Sequence, residues 1–277
     1  MTKLTTSVLL PVYGRDDPVH LAASLDSLYA QTRPADEIVL VKDGPLTPAL
    51  DRVIESAGQK PGQVLHIVAL AENLGISQAL NAGLRRCSGE LVIRMDADDI
   101  AFPERLERQV SFMAAHPEID LLGTTMAEFE EDPGSHRIKP APETHAEICQ
   151  QLAWRNPINH PTVCIRRHCL PPSGYPALKF VEDYFLWVQM IAAGARCHNL
   201  QTPLLYYRFS AATLKRRGGW VNFRNEIKVR LWLYRQGMIG LPRLAGVVTV
   251  QACLRFSPVW LRAFLWDRTR RKVISAP

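Results

Sequence analysis

Acidic side chains in three parts of the chain have the types and spacing needed for metal-assisted chemistry. Residues 96–99 read Asp-Ala-Asp-Asp and directly follow the apolar run 91–95. Asp43 ends another apolar run, and the pair Glu182 and Asp183 comes much later. Acids at the end of a buried strand are costly to bury unless they bind a cation. Oxygen ligands suit Mg²⁺ or Mn²⁺, so the pattern predicts a metal-dependent site for a nucleotide diphosphate.

Strand-length apolar runs and helix-period repeats alternate through the first hundred residues. The strand runs are residues 7–12, 38–41, 64–70 and 91–95, and apolar side chains at helical spacing separate several of them. Continuous apolar runs, rather than alternating ones, are typical of a parallel sheet that helices cover on both faces. The chain is therefore expected to form an α/β fold with a doubly wound, mostly parallel sheet flanked by helices.

The polar residues of this region lie where the predicted strands end. Residues 11–13, Asp43, Asn73 and residues 96–99 all occupy such positions. In open α/β sheets, ligands bind outside the carboxyl ends of the strands, so this coincidence carries more weight than any single motif. Taken alone, the Asp-x-Asp triplet could equally cap a helix that begins near Pro103.

The later elements are less regular. Residues 121–131 are expected to form one strand, and residues 182–193 a helix that ends at Gly194. Trp154 and Trp187 are expected in the core rather than at a sugar-binding surface. These elements would complete the domain that the first hundred residues begin.

Charge divides the chain near residue 215. Residues 215–277 contain 14 Lys and Arg against 2 Asp and Glu, whereas residues 1–214 contain 19 against 25. We therefore expect a main domain over residues 1–214 and a basic, amphipathic helical region over residues 215–277, divided into short helices by Pro242 and Pro258. Cationic helices with aromatic residues can lie on an anionic membrane surface. The alternative is a helical pair that packs on the domain and extends its arginines to solvent.

Neither a signal peptide nor a membrane-spanning segment is expected. The first six residues are largely polar, and no stretch reaches the roughly 18–20 apolar residues that span a bilayer. Six cysteines without a Cys-x-x-Cys pair are typical of a reducing compartment. The expected location is the cytoplasm, peripheral on the inner face of the cytoplasmic membrane.

Five motifs together resemble glycosyltransferase family 2, whose members have the GT-A fold. They are residues 7–13, 43–44, 73–75, 96–99 and 182–184. Two further segments, residues 156–163 and 215–220, are similar to the branch that contains amylovoran, O-antigen and capsular polysaccharide glycosyltransferases. The resemblance covers nearly the whole chain. It implies an inverting, metal-dependent hexosyltransferase of bacterial surface polysaccharide synthesis, with residues 1–214 as its GT-A domain.

The resemblance implies specific roles for the residues at the strand ends. The nucleotide-sugar-binding residues would be Pro11, Val12, Tyr13, Asp43, Asn73, Asp96, Ala97 and Asp98. Asp43 would accept a hydrogen bond from uracil N3–H, and Asp96 would contact the ribose or the donor sugar. Asp98 would bind Mn²⁺ or Mg²⁺ between the two phosphates, and Asp99 would either assist it or cap the next helix.

The same resemblance implies that Asp183 is the general base. Its carboxylate would take the proton of the acceptor hydroxyl, and a position near a helix N-terminus favours the ionised form. Without the family match, helix capping is the simpler explanation for this acid and Glu182. Glu182, His160, Arg216 and Arg217 are further candidates for diphosphate or acceptor contacts. The alternatives are a buried histidine at position 160 and a solvated basic turn for the two arginines.

The resemblance also implies the substrates. The donor would be a UDP-sugar, with UDP-galactose or UDP-glucose favoured, the acceptor an undecaprenyl-diphosphate-linked saccharide, and the product linkage β. A sugar-nucleotide pyrophosphorylase is an alternative, but it needs a glycine-rich loop that residues 11–15 lack. A dinucleotide oxidoreductase would need a G-x-G-x-x-G motif after an early strand. A non-catalytic, membrane-associated sugar-binding module is a further alternative, and no nucleic-acid partner is expected because no reading module accompanies the basic tail.

Overall fold

Two β-sheets, eight α-helices and two short 3-10 helices (His160–Thr162 and Arg167–Cys169) make up the described part of the protein. The structure is a computed structural model that describes residues 4–62, 64–209, 219–258, 260–261, 264 and 271–272. The strands are β1 (Thr6–Tyr13), β2 (Glu37–Asp43), β3 (Leu65–Ala69), β4 (Leu91–Arg94), β5 (Ile100–Ala101), β6 (Leu121–Thr124), β7 (Met126–Phe129), β8 (His136–Lys139), β9 (Cys164–Arg166), β10 (Cys197–Leu200), β11 (Leu205–Arg208) and β12 (Arg271–Lys272). The helices are α1 (Pro18–Tyr29), α2 (Pro48–Gly58), α3 (Ile76–Arg86), α4 (Arg105–Ala115), α5 (His145–Gln151), α6 (Glu182–Ala192), α7 (Trp220–Arg235) and α8 (Leu241–Phe256).

The larger sheet has seven strands in the order β10-β6-β9-β4-β1-β2-β3. All neighbouring pairs are parallel except those of β9, which runs antiparallel to both β4 and β6. Helices cover both faces, because buried side chains of α1, α2 and α4 join one core cluster and those of α3 and α6 join another. The predicted α/β fold with a mostly parallel, helix-flanked sheet is confirmed.

The parallel pairing brings the carboxyl ends of three strands to one edge of the sheet. Tyr13 at the end of β1 lies opposite Asp43 at the end of β2. On its other side, Leu9 of β1 lies opposite Arg94, the last residue of β4. The residues that follow these strands therefore emerge side by side, as the strand ends of an open α/β sheet do.

Side-chain alternation along the strands divides the core into two layers. Val8 and Ile93 belong to the layer under α1, α2 and α4, whereas Leu9 and Val92 belong to the layer under α3 and α6. Each of these side chains is at most 2% exposed. A shift of one residue in register would exchange the two layers, so burial fixes which strand residues face α6.

The second, smaller sheet includes part of residues 121–131, a segment that we predicted to be one strand. This sheet has the order β12-β8-β7-β11-β5. The prediction of a single strand over residues 121–131 is wrong, because β6 ends at Thr124 in the larger sheet and β7 begins at Met126 in the smaller one. At the break, the Thr125 amide donates to the Leu200 carbonyl at 2.9 Å and the Thr124 hydroxyl donates to the Thr125 carbonyl at 2.6 Å. Apolar composition alone does not reveal a strand that changes sheets.

Helices α7 and α8 pack against α6. Tyr184 and Val188 of α6 share a buried cluster with Val229 and Leu233 of α7 and Val247 of α8. None of the described helices has both the length and the apolarity to cross a membrane. The inner faces of α7 and α8 thus belong to the same core as the helix that carries Asp183.

Buried charges reinforce this packing. Glu226 forms ion pairs with Arg230 and Arg255, which joins α7 to α8. Arg230 is fully buried, donates to the Trp154 carbonyl at 3.1 Å, and lies 5.6 Å from the centre of the Tyr184 ring. Removing one member of such a network leaves an uncompensated buried charge, which costs about 3–5 kcal/mol.

The two tryptophans predicted in the core have different environments. Trp187 is fully buried, as predicted. Trp154 is 43% exposed, so its prediction is wrong. Helix α5 ends at Gln151, and the chain then buries Leu152 and Ala153 in place of the indole.

Candidate active site

The Asp43 carboxylate connects the end of β2 to the loop after β3 through hydrogen bonds. Its Oδ1 accepts a hydrogen bond from the Leu74 amide at 2.8 Å, and its Oδ2 accepts from the Gly75 amide at 3.0 Å. The Asn73 side chain donates to the same Oδ2 at 3.1 Å. Gly44 permits this approach, since its φ is +83° and a Cβ there would lie 2.6 Å from the Asn73 nitrogen. The predicted uracil contact of Asp43 stays a prediction, and Oδ1, which accepts only one of these three bonds, retains acceptor capacity for it.

The other predicted nucleotide contacts differ in accessibility. Pro11, Val12 and Ala97 are buried, so they can shape a nucleotide site through the backbone but offer it little side-chain surface. Tyr13 is 39% exposed at the end of β1, and Asn73 is exposed beside Asp43. Only these last two of the five present side-chain surface to a ligand.

Asp16 is an acid of this region that our sequence analysis missed. Its Oδ2 accepts a hydrogen bond from the Tyr13 amide at 2.9 Å, which closes the loop after β1. Burial, followed by the charges of Asp98 and Asp96, raises the pKa of Asp16 to about 7 against the effect of that hydrogen bond. The loop after β1 therefore lies against residues 96–99. No motif distinguishes Asp16 from its neighbour Asp17, which caps α1.

Three carboxylates after β4 form a group that could hold a divalent cation. Oxygen atoms of Asp96, Asp98 and Asp99 lie within 4.8 Å of one another. Asp99 is fully buried, and its Oδ1 accepts from the Arg208 amide at 2.9 Å. Its Oδ2 is also buried and has no hydrogen-bond partner among the described residues, which is costly unless a cation or a donor satisfies it. The all-oxygen donor set fits Mg²⁺ or Mn²⁺.

Helix capping does not explain these acids. Helix α4 begins at Arg105, its N-cap residue Glu104 makes no side-chain capping bond, and the Leu106 amide of its first turn donates instead to the Gln31 side chain at 3.0 Å. Burial and the neighbouring Asp96 charge raise the pKa of Asp98 to about 6. Burial and the charge of Asp98 raise the pKa of Asp99 well above its ordinary value. A bound cation would favour the charged forms and lower both pKa values.

Arg94 is the second residue of the site that sequence analysis missed. It ends β4, is 4% exposed, and forms an ion pair with Asp96. The buried Arg105 donates to the Arg94 carbonyl at 2.7 Å and to the Pro161 carbonyl at 2.9 Å, which fixes the backbone at this strand end. The signal available in the sequence was the single charged residue within the apolar run 91–95.

The second acidic pair lies in the first turn of α6. Asp183 accepts from the Asn156 side chain and from the Tyr184 amide, both at 2.7 Å. Burial raises the pKa of Asp183, although these two hydrogen bonds and the charge of Arg94 oppose the shift. Burial and the charge of Asp183 raise the pKa of Glu182 to about 7. One acid of the pair is thus held by donors, while the other has a buried Oε2 without a hydrogen-bond partner among the described residues.

His160 lies beside these acids in an aromatic cluster. Its Nε2 is 3.0 Å from the Tyr175 hydroxyl, and its ring meets Trp187 edge-on at a centroid distance of 5.9 Å. Burial, followed by the charge of Arg94, lowers the pKa of His160 well below its ordinary value. The ring is therefore neutral at physiological pH, and its predicted acceptor contact stays a prediction.

The structure brings most of the predicted site residues to one edge of the larger sheet. The charge of Arg94 acts on Asp98 and Asp99 after β4 and on Glu182 and Asp183 in α6, so the two acidic groups face the same buried cation. Arg216 and Arg217 lie outside the residues that the structure describes.

These observations define the class of protein: a GT-A-like α/β fold with carboxylates clustered at its strand ends. The family model for Glycosyl transferase family 2 matches residues 7–169, and the chain belongs to that family.

Relatives of known name extend this assignment over nearly the whole chain. It is 37% identical over 270 residues to the amylovoran biosynthesis glycosyltransferase AmsE of Erwinia amylovora, covering 96% of this chain and 99% of the relative. It is 32% identical over 271 residues to the UDP-Gal:alpha-D-GlcNAc-diphosphoundecaprenol beta-1,3-galactosyltransferase of Escherichia coli, covering 97% of each chain. The chain is thus a family 2 glycosyltransferase of the type that takes part in polysaccharide biosynthesis.

A solved structure supports the fold. The mannosyltransferase PcManGT from Pyrobaculum calidifontis, in complex with GDP-Man and Mn²⁺, matches with a TM-score of 0.66 and 18% identity. The match covers 96% of this chain and 80% of PcManGT. At this identity the likeness concerns the fold.

Proposed function

We propose that the protein is an inverting, metal-dependent transferase that moves a hexose from a UDP-sugar to a lipid-diphosphate-linked saccharide and forms a β-linkage. The observation that carries the proposal is the buried Arg94, which forms an ion pair with Asp96 after β4 and whose charge opposes the rise in the pKa of Asp183 in α6. Transfer of this kind needs a site for a diphosphate leaving group beside a base for the incoming hydroxyl. The two acidic groups supply one requirement each.

Asp183 is the proposed base. Its carboxylate is oriented by donors on two sides, Asn156 and the Tyr184 amide, which leaves its remaining acceptor positions for an acceptor hydroxyl. A general base must be ionised and within hydrogen-bond reach of the proton that it removes. The attacking oxygen would displace UDP from the opposite side of the anomeric carbon, which inverts its configuration.

Asp98 is the proposed metal-binding residue, with Asp96 and Asp99 beside it. When bound there, Mn²⁺ or Mg²⁺ would supply positive charge to the diphosphate oxygens as UDP leaves. The chain's own contribution is to hold the three carboxylates together, which the Asp99 bond to the Arg208 amide and the Asp96 ion pair to Arg94 achieve.

The substrate assignments draw on the Escherichia coli relative. Its name specifies UDP-galactose as donor, an N-acetylglucosamine diphospholipid as acceptor and a β-1,3 linkage. At 32% identity over nearly the full length, we propose UDP-galactose or UDP-glucose as donor and an undecaprenyl-diphosphate-linked N-acetylhexosamine as acceptor. Asp43, Tyr13 and Asn73 are the proposed contacts for the uridine.

A substrate panel tests this function. Full-length protein with Mn²⁺ is incubated with UDP-galactose, UDP-glucose, UDP-GalNAc or UDP-GlcNAc and a synthetic GlcNAc-diphosphate lipid. We expect UDP-galactose or UDP-glucose to extend the acceptor by one hexose, detected by mass spectrometry, with a β-anomeric coupling by NMR. Conversion of UDP-sugar and added pyrophosphate to UTP would instead indicate the pyrophosphorylase alternative. Absence of turnover with all four donors, while UDP still binds, would favour a non-catalytic module.

We also propose that an aromatic surface, formed where the start of α7 lies against the end of α8, contacts the cytoplasmic face of an anionic membrane. The aromatic surface consists of Trp220, Phe223 and Phe256, whose ring centres lie 5.4–6.2 Å apart. Trp220 is 63% exposed and Phe256 57%. Arg224 and Lys228 are exposed on the same helix as Trp220. Aromatic side chains beside cations suit a bilayer interface with anionic headgroups, where a lipid-linked acceptor would be found.

Replacing Trp220 and Phe256 together by serine should weaken membrane binding. Each buried aromatic contributes roughly 1.5–3 kcal/mol, so we expect at least a tenfold loss of affinity for phosphatidylglycerol vesicles in flotation assays. The matched control replaces two exposed apolar residues by serine: Val64, which immediately precedes the edge strand β3 and is 50% exposed, and Ile67 within β3, which is 51% exposed. Equal flotation of the two double variants would refute the assignment of this surface.

A further inference from the structure

Arg94 lies between the two acidic groups of the site. Residues two apart on a strand point to the same face, so Arg94 and Val92 share one face of β4. Val92 belongs to the core layer that contains Leu186 and Trp187 of α6. The Arg94 side chain therefore continues the row of β4 that packs against α6, one step closer to the carboxyl edge of the sheet.

The two acids of helix α6 lie on the side of the helix that packs against this row of β4 side chains. Residues four apart in a helix lie one above the other, so Glu182 lies over Leu186 and Asp183 over Trp187. Because these two deeper residues pack in the layer of Val92, the acids at the start of α6 lie above that layer, near Arg94. Arg94 also forms the ion pair with Asp96. A single guanidinium thus faces both acidic groups.

The guanidinium is unusually short of hydrogen bonds for its burial. Its Nε and Nη1 atoms are buried and have no hydrogen-bond partner among the described residues. An arginine does not lose its proton in proteins, so its full charge persists there. Such a charge is costly to bury and is tolerated when acids surround it. Its interaction with those acids is strong, because little water intervenes to screen it.

We propose that Arg94 is a positioning residue whose single charge serves both ends of the site, holding Asp96 in place and keeping Asp183 in the ionised form that accepts a proton. This inference rests on the proposed role of Asp183 as general base. In this role Arg94 contacts neither the acceptor hydroxyl nor the diphosphate, but its charge sets the pH range in which Asp183 can accept a proton.

Several other groups act on Asp183, and they set the size of the effect. Glu182 is its neighbour in α6, and Tyr175 lies in the segment before that helix. Lys139 at the end of β8 is a second cation that favours the charged form. Removing Arg94 therefore raises the pKa of Asp183 without removing all positive charge around it. Because activity needs the ionised base, the variant should lose more activity at low pH than at high pH.

The test compares neutral and cationic replacements of Arg94. In Arg94→Met and Arg94→Gln, we expect the ratio of kcat/KM at pH 8 to that at pH 6 to rise about fivefold relative to the parent. In Arg94→Lys the charge remains, so the ratio should match the parent while kcat/KM falls about tenfold at both pH values, since the shorter lysine does not reproduce the contact that Nη2 makes with Asp96. Arg52→Met on the remote helix α2 is the control and should change neither quantity.

The outcomes separate this inference from the proposed function. Neutral variants that fold, by circular dichroism, and keep the parent ratio would overturn the role of Arg94 even if their activity is low. Unfolding of both neutral variants beside a folded Arg94→Lys would also overturn it, because the charge would then be purely structural. If instead Asp183→Asn retains turnover, the base assignment itself fails, whatever the Arg94 variants do.

Discussion

Asp183→Asn should lower kcat by about 10²–10⁴-fold, the usual contribution of a general base. The asparagine keeps the size of the side chain and an oxygen that can accept from the Tyr184 amide, so helix α6 should still form. It cannot take a proton from the acceptor hydroxyl. The KM for the UDP-sugar should change little, because the donor is assigned to the other acidic group. Steady-state kinetics at saturating acceptor measures both constants.

Asp26→Asn is the matched control for this substitution. Asp26 is exposed on α1 and pairs with Lys60 at the surface, where such pairs contribute 0–1 kcal/mol at most. Its kcat should equal that of the parent. A folded Asp183→Asn variant with near-parental kcat would show that another group, with Glu182 the nearest, removes the proton.

The fold could be predicted from the sequence because its strands are buried on both sides. Continuous apolar runs such as residues 38–41 are what a helix-covered parallel sheet requires, and four of them located β1 to β4. The antiparallel direction of β9 did not follow from this reasoning, because a short apolar run does not show which way its strand runs. The break at Thr125 escaped it as well, because both halves of residues 121–129 are buried.

Site residues that directly follow a strand could be predicted from the sequence. Site residues whose surroundings depend on tertiary contacts could not. Residues 96–99 and Asp43 stand directly after apolar runs, so their positions in the sheet follow from the order of the elements. Arg94 and Asp16 meet the acids of residues 96–99 only in the folded chain, Arg94 through its ion pair with Asp96 and Asp16 through the loop after β1. A buried arginine inside a strand run has no periodic signature; its significance comes from the acids that surround it.

Asp43 has a structural role that the sequence did not indicate. The sequence assigned Asp43 to nucleotide binding alone, yet its carboxylate holds the amides of Leu74 and Gly75. Hydrogen bonds between a side chain and amides that lie 31 and 32 residues away cannot be predicted without knowing the φ of Gly44 and the close approach that it allows. An aspartate that organises a loop and an aspartate that binds a base look identical in the sequence.

Asp98→Asn should abolish tight binding of the proposed divalent cation. Loss of groups that merely support a ligand weakens metal affinity by 10–100-fold, so we expect at least about a hundredfold loss when the proposed ligand itself changes. Mn²⁺ binding, followed by the electron paramagnetic resonance signal of the free ion, measures this without turnover. In parallel, EDTA should inactivate the parent, and added Mn²⁺ should restore it.

Asp132→Asn is the matched control for Asp98→Asn. Asp132→Asn removes an exposed carboxylate from the turn before β8, so it changes net charge equally and leaves residues 96–99 intact. Its Mn²⁺ affinity should equal that of the parent. Parental affinity in Asp98→Asn would move the cation away from Asp98. Activity that survives EDTA would mean that charges of the chain itself stabilise the departing diphosphate, and the unpartnered Oδ2 of Asp99 would then require another occupant.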